Sequence, residues 1–244
     1  MANYLTAERI LSIHETLVRI FADIGEPIVP PGPRDENLVH SAAARPQTAI
    51  GKTEKYPTVV TKAGALFHSL VTSHPFHNGN KRTALISLAT FLHENHRRLT
   101  DSDPRLYEFV LAVADNHLPR LRPPGSVDAF VAQITDWIER HSTHLSIAAR
   151  GMSLREFLDK LRAAGARVKP AGNGYLILGD EGRSIRIANS TKQLPGPVVK
   201  VYVSKLALSE AYSGISFGEF QAGILPEQTY IQSLMQVLRM LSHV

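Results

Sequence analysis

The chain has 244 residues, enough for one or two domains, and 43% of them are hydrophobic and 20% charged. That balance excludes a disordered chain, and the absence of cysteine excludes disulfides, thiolate metal sites and a catalytic thiol. The net charge of +5 is uneven, with 16 Lys+Arg against 15 Asp+Glu in residues 1–150 and 11 against 7 in residues 151–244. This mild bias points to an anionic partner for the second part, although nucleic-acid binders concentrate charge far more.

Glu8, Arg9, Glu15, Arg19 and Asp23 interrupt the first 25 residues, so no apolar signal segment is expected there. No run is long and apolar enough for a membrane span, and the expected location is cytoplasmic. Ile10, Ile13, Leu17 and Ile20 predict a helix after Thr6. Pro27, Pro30, Pro31 and Pro33 break the pattern, and no strong period follows up to Pro57. Helical spacing returns with Ala63, Leu66, Phe67, Leu70 and Val71, and again with Leu85, Leu88 and Leu92. Asp103 reads as an N-cap before Pro104, with Leu106, Val110 and Val113 as the buried face. A further helix runs from near Ser126 through Phe130, Ile134, Trp137 and Ile138.

The amphipathic period is lost between His141 and Met152, and the domain boundary is placed there, giving residues 1–145 and 146–244. Ser153 and Glu156 predict a capping box for a helix with the face Leu154, Phe157, Leu158 and Leu161, ended by Gly165. Short strands are expected at Ala166–Lys169, Tyr175–Leu178 and Ser184–Ile187. Val198–Val203 suits either a strand or a helix, and a last helix covers about Glu227–Leu241. The expected fold is mainly α, a helical domain followed by a smaller α+β domain.

One stretch carries chemistry: His74-Pro75-Phe76-His77-Asn78-Gly79-Asn80-Lys81-Arg82, at a helix–loop–helix junction. A helix starting near Gly79–Lys81 offers unpaired N–H donors and a partial positive charge to a phosphate. Gly79 permits close approach of the backbone, and Lys81 and Arg82 add fixed charge. Asn80 can bond a phosphate oxygen or hold the loop. Asn78 offers a carbonyl oxygen to a hard cation such as Mg²⁺. His74 can accept a proton near neutral pH. A base facing an anion cradle suits transfer of a phosphate-containing group to a hydroxyl.

The stretch resembles the Fic/Doc motif His-Pro-Phe-x-Asp/Glu-Gly-Asn-Gly/Lys-Arg, and most its Doc branch, His-x-Phe-x-Asp/Asn-Ala/Gly-Asn-Lys-Arg, which admits Asn at the position of Asn78 and has Lys at that of Lys81. Thr6–His14 resembles the opening helix of that family, and Thr83-Ala84-Leu85 with Phe91-Leu92 its central helix, so the resemblance covers about residues 1–140. It implies His74 as general base, Phe76 as loop anchor, Asn78 at the Mg²⁺ position, and Gly79, Asn80, Lys81 and Arg82 as the ATP phosphate cradle. Lys81, where AMP-transferring members have Gly, implies a toxin-type protein kinase. Such a kinase moves the ATP γ-phosphate to a Ser or Thr hydroxyl. In the Doc branch the target is the elongation factor EF-Tu, translation is blocked, and a separate antitoxin neutralises the toxin. AMP or nucleotidyl transfer, and an inactive binding module acting through its C-terminal domain, are the alternatives. Asn78 departs from the acidic residue of most active members and weakens the expected metal ligation. Residues Arg45–Pro57 fall where the family places a target-docking flap.

Other patterns carry less. His93 and His96 lack a third ligand for zinc. Thr90–Asn95 matches a short inhibitory string of the family, but inside the predicted helix after the motif, where chance explains it. His14, His68 and His117 read as surface or packing residues. The order helix, strand, strand, strand from Ser153 faintly resembles HicA-like RNA-binding toxins, without their histidine. Arg155, Arg162, Arg167, Lys169, Arg183 and Arg186 suit RNA, an acidic protein or a solvated face equally.

Overall fold

The computed structural model describes all residues except 1, 101–102, 119–124, 146–148, 180–181, 209–216, 223–226 and 244. It divides into two compact units, Met1–Thr143 with Leu234–Val244, and His144–Ser233. The return of the C-terminal segment to the first unit is absent from the sequence reading, which keeps 146–244 together. Its cause is a helical stripe, Leu234, Val237, Leu238 and Leu241, all of it buried.

The first unit is helical. Helix α1 (Ala7–Asp23) starts on Thr6, whose side chain accepts from the Arg9 N–H, and it buries Ile10, Ile13, His14, Leu17 and Phe21. Helix α2 (Glu36–Ala44) is capped by Asp35. The sequence shows no clear period there because its buried face is only Val39, Ala42 and Ala43. A two-stranded antiparallel hairpin follows, β1 (Ala49–Ile50) and β2 (Thr53–Glu54).

Helix α3 (Val59–Thr72) is closed by a capping box between Thr58 and Thr61. It is buried nearly all round, between α4 (Asn80–Glu94) and α6 (Val127–Arg140). Gly64 allows the close approach to α6, since a Cβ there would lie 2.7 Å from Thr135 Oγ1. The core continues through stacked rings, Phe67 on Phe109 at 5.2 Å and Phe109 on Trp137 at 3.7 Å. Phe109 lies on α5 (Asp103–Ala114). The cap assigned to Asp103 concerns a side chain outside the described residues.

The second unit is α+β. Helix α7 (Leu154–Ala163) precedes a three-stranded antiparallel sheet of Arg167–Ala171, Gly174–Leu178 and Ser184–Ala188. Only half of the expected box at Ser153 forms. Its Oγ accepts from the Glu156 N–H at 3.1 Å, while the Glu156 carboxylate turns to Arg150 at 2.7 Å. Val198–Val203 lies within a helix, Gly196–Lys205, because Pro197 fits its first turn and Val199 and Val203 share its buried face. Phe157, Leu161, Ile177, Ile185 and Val199 meet in this unit's own core. Among the described residues no helix is long and apolar enough to cross a membrane.

Candidate active site

The motif loop joins α3 to α4, and three contacts fix its shape. Asn80 holds Phe76 with both ends of its amide, Oδ1 accepting from the Phe76 N–H at 2.9 Å and Nδ2 donating to the Phe76 carbonyl at 2.8 Å. Of the two roles open to Asn80 in the sequence, holding the loop is the one its amide performs. The proline-rich segment lies antiparallel beside the loop. Arg34 and Asp35 donate their N–H groups to the Pro75 carbonyl, at 2.7 and 3.2 Å, and His77 donates to the Gly32 carbonyl at 3.2 Å. Phe76 is 1% exposed and stacks on the His14 ring at 4.0 Å. It is therefore the loop anchor.

His14 ties three elements together. Its Nε2 accepts from the Gly32 N–H at 3.2 Å, which leaves Nδ1 to donate to Thr83 Oγ1 at 3.0 Å. Burial first and Arg82 second push its pKa down to about 4, so the ring is neutral at pH 7. The sequence leaves His14 as a surface or packing residue and does not show its partners. Its partners are 18, 62 and 69 residues away, beyond the reach of any local pattern.

Helix α4 starts at Asn80 on a left-handed N-cap, Gly79, with φ +76°. A side chain at Gly79 would be strained by that φ and would crowd Ile28 at 3.2 Å. Gly79 also brings no side chain to cap the first-turn N–H groups. The helix start thus keeps its capacity for an anion. Arg82, one turn in, is 5% exposed. Its guanidinium lies 4.5 Å from the Phe21 ring centroid, and its buried Nη1 meets no acceptor. Burial lowers its pKa, and the nearby Glu26 opposes that. A buried N–H without an acceptor costs about 1–3 kcal/mol, a cost that an acceptor brought within its reach would remove.

His74, at φ +48°, is exposed where α3 ends. It shares a cavity of about 190 Å³ with Asn78, Asn80, Lys81 and Arg82, so the predicted site residues converge, with Phe76 beneath them. Leu241 and Ser242 also line this cavity. The single proton of Ser242 Oγ has two acceptors within reach, Glu26 Oε2 at 2.9 Å and the Arg239 carbonyl at 2.6 Å, and the first links the turn to Glu26 as one wall. No sequence signal marks that residue. The volume suits a phosphate chain but is below the ~300–1,000 Å³ of whole-ligand pockets.

The cradle fits the phosphates of ATP on these observations. It does not fit a magnesium ion held by the protein. Asn78 Nδ2 donates to the Val29 carbonyl at 3.0 Å, and its Oδ1 already accepts from the Gly79 N–H at 2.6 Å. No carboxylate lines the cavity, and no cluster of metal-binding side chains occurs among the described residues. Mg²⁺ normally takes one or two carboxylates together with substrate phosphates.

Residues 4–92 match the Fic/DOC family. The chain is also similar to a protein of Mycolicibacterium smegmatis named Toxin Doc, 45% identical over 62 residues, which are 25% of this chain and 48% of that protein. The chain thus spans about half the length of the curated relative it matches. Residues 4–92 form a Fic/Doc family domain, within a helical unit that a smaller α+β unit follows.

Proposed function

We propose that this Fic/Doc-domain protein is a Doc-like toxin, a transferase that moves the γ-phosphoryl group of ATP to a Ser or Thr hydroxyl of a protein. The observation that carries this reading is the buried Arg82 guanidinium, with Nη1 unsatisfied, in one cavity with the exposed His74. His74 takes the proton of the target hydroxyl. The hydroxyl oxygen bonds to the γ-phosphorus, the bond from that phosphorus to the bridging oxygen breaks, and ADP leaves. The proton on His74 passes to water. Lys81, Arg82 and the α4 N-terminus hold the phosphates and their developing charge.

Lys81 supports phosphoryl over AMP transfer, because a lysine lines the cavity where AMP-transferring members have Gly. The unsatisfied Arg82 favours a working cradle over an inert scaffold. On this reading EF-Tu is the first target to test, a block of translation the outcome to look for, and a separate antitoxin the expected partner. The test incubates the chain with γ-labelled ATP and EF-Tu. Labelled EF-Tu, lost with His74→Ala while the melting temperature holds, supports the reading. Undiminished label from His74→Ala overturns His74 as base. A melting temperature unmoved by saturating ATP supports a binding module instead.

A further inference from the structure

The three-stranded sheet of the second unit has two unlike faces. On one, Val168, Ile177 and Ile185 stand opposite one another across the strands and join the core of the unit. Side chains alternate along a strand, so the residues on either side of these belong to the other face. There the register sets Lys169, Leu176 and Arg186 in one row and Arg167, Leu178 and Ser184 in the next. The third row, Ala171, Gly174 and Ala188, carries only small residues.

This outer face is open and its charge is not balanced. Arg167, Lys169 and Arg186 are exposed, and none of them makes an ion pair among the described residues. No Asp or Glu stands in the three rows. Leu176 and Leu178 run down the middle, half-buried and outside the core that holds Ile177 between them. An apolar centre with a polar rim in which Arg is enriched is the anatomy of a protein interface. A nucleic-acid backbone would engage the three cations but leave both leucines uncovered. Unpaired bases stack on aromatic rings, and Tyr175, the one aromatic residue of these strands, packs on the core side. A polypeptide that carries apolar and acidic residues side by side satisfies the leucines and the cations together.

We propose that this sheet face docks an acidic amphipathic helix of a partner protein, with its apolar stripe on Leu176 and Leu178 and its carboxylates on Arg167, Lys169 and Arg186. The dimensions agree. Leu176 and Leu178 are two residues apart on one strand, about 6.6 Å. Residues i and i+4 of a helix are about 6 Å apart along its axis, so two apolar side chains of one stripe fall on the two leucines. The neighbouring strands lie about 4.8 Å to either side, and a helix about 10 Å wide reaches the cations of both. Two cations on one flank and one on the other set the direction of charge, with more carboxylates toward Arg167 and Lys169. The proposal is independent of the transfer chemistry, whose residues all lie in the first unit.

The test follows the leucine methyl groups of the full chain by NMR during titration with designed peptides of about 20 residues, long enough to hold a helix. The first peptide carries a leucine stripe with Glu on both flanks. The second has Gln for every Glu, the third has Lys for every Glu, and a single-stranded oligouridylate is the nucleic-acid probe. Saturable shifts of the Leu176 and Leu178 methyl groups with the Glu peptide are expected, with binding of the Gln peptide weaker by about tenfold. Lys169→Glu with Arg186→Glu should reverse the preference, so that the Lys peptide binds better than the Glu peptide. Both residues are exposed, and the melting temperature should hold; if it does not, the Glu and Gln peptides on the unaltered chain still decide. No saturable shift at these methyl groups, or equal binding of the Glu and Gln peptides, overturns the proposal. Oligouridylate that displaces the Glu peptide from the same methyl groups assigns the face to nucleic acid and also overturns it.

Discussion

Asn80 and Phe76 are joined by a reciprocal pair of hydrogen bonds that uses both ends of one amide on both backbone groups of one residue. The pair sets the loop so that Phe76 enters the core beside His14 while His74 stays exposed. Asn80→Asp removes the donor and places a second oxygen against the Phe76 carbonyl. The expected cost is about 1–3 kcal/mol in urea unfolding, with transfer activity reduced more than tenfold.

Arg82 separates stability from binding. Arg82→Gln loses the contact with Phe21, about 0.5–2 kcal/mol, but also removes a buried unsatisfied donor, about 1–3 kcal/mol. The two effects oppose, so stability should fall by no more than about 1 kcal/mol. The rise in melting temperature produced by ATP should disappear. Calorimetric scans with and without ATP measure both quantities.

The two buried histidines predict acid sensitivity. His14 and His68 have folded pKa values near 4, against 6.5 for the free side chain. The unfolded chain therefore binds more protons between these values, and stability falls with decreasing pH in that window. Their full contribution is present above about pH 6.5 and is lost as the pH falls toward 4. Urea midpoints measured from pH 7 to 4 should drop. In His14→Gln the slope should be roughly half as steep in this window if the two histidines dominate it.

Asn78 is matched to a carbonyl. Its Nδ2 donates to Val29, and a carboxylate there would face that oxygen with like charge. Asn78→Asp should lower the melting temperature without nucleotide, at a cost of about 1 kcal/mol. Mg²⁺ with ATP should restore it, because the new carboxylate gains a cation. Melting curves with ATP, with and without Mg²⁺, check this.

The C-terminal turn walls the cradle through Ser242 and Glu26. Ser242→Ala removes a bond to a carboxylate and loosens the turn by about 1 kcal/mol. Truncation after Met240 removes the wall. Both changes should tighten ATP binding, by about fivefold for Ser242→Ala, as measured by isothermal titration.

What the sequence reveals follows the range of the interaction. The motif from His74 to Arg82 is local, and its residue types state their chemistry without tertiary partners. The helices α1, α3, α4 and α6 are long enough for the apolar period to mark them. Helix α2 has only nine residues and the hairpin two per strand, so neither repeats long enough to be read. The contact of Gly32 and His77 is missed because it pairs a proline-rich segment with a loop 45 residues later, by backbone groups that every residue carries. Ser242 reaches Glu26 across 216 residues. The orphan donor on Arg82 is visible only once burial is known.

The most direct measurement is the intact mass of EF-Tu after incubation with this chain and ATP with Mg²⁺. Phosphoryl transfer predicts a gain of about 80 Da, absent with His74→Ala. A gain of about 329 Da, the mass of a transferred AMP group, would contradict the kinase assignment and the role given to Lys81.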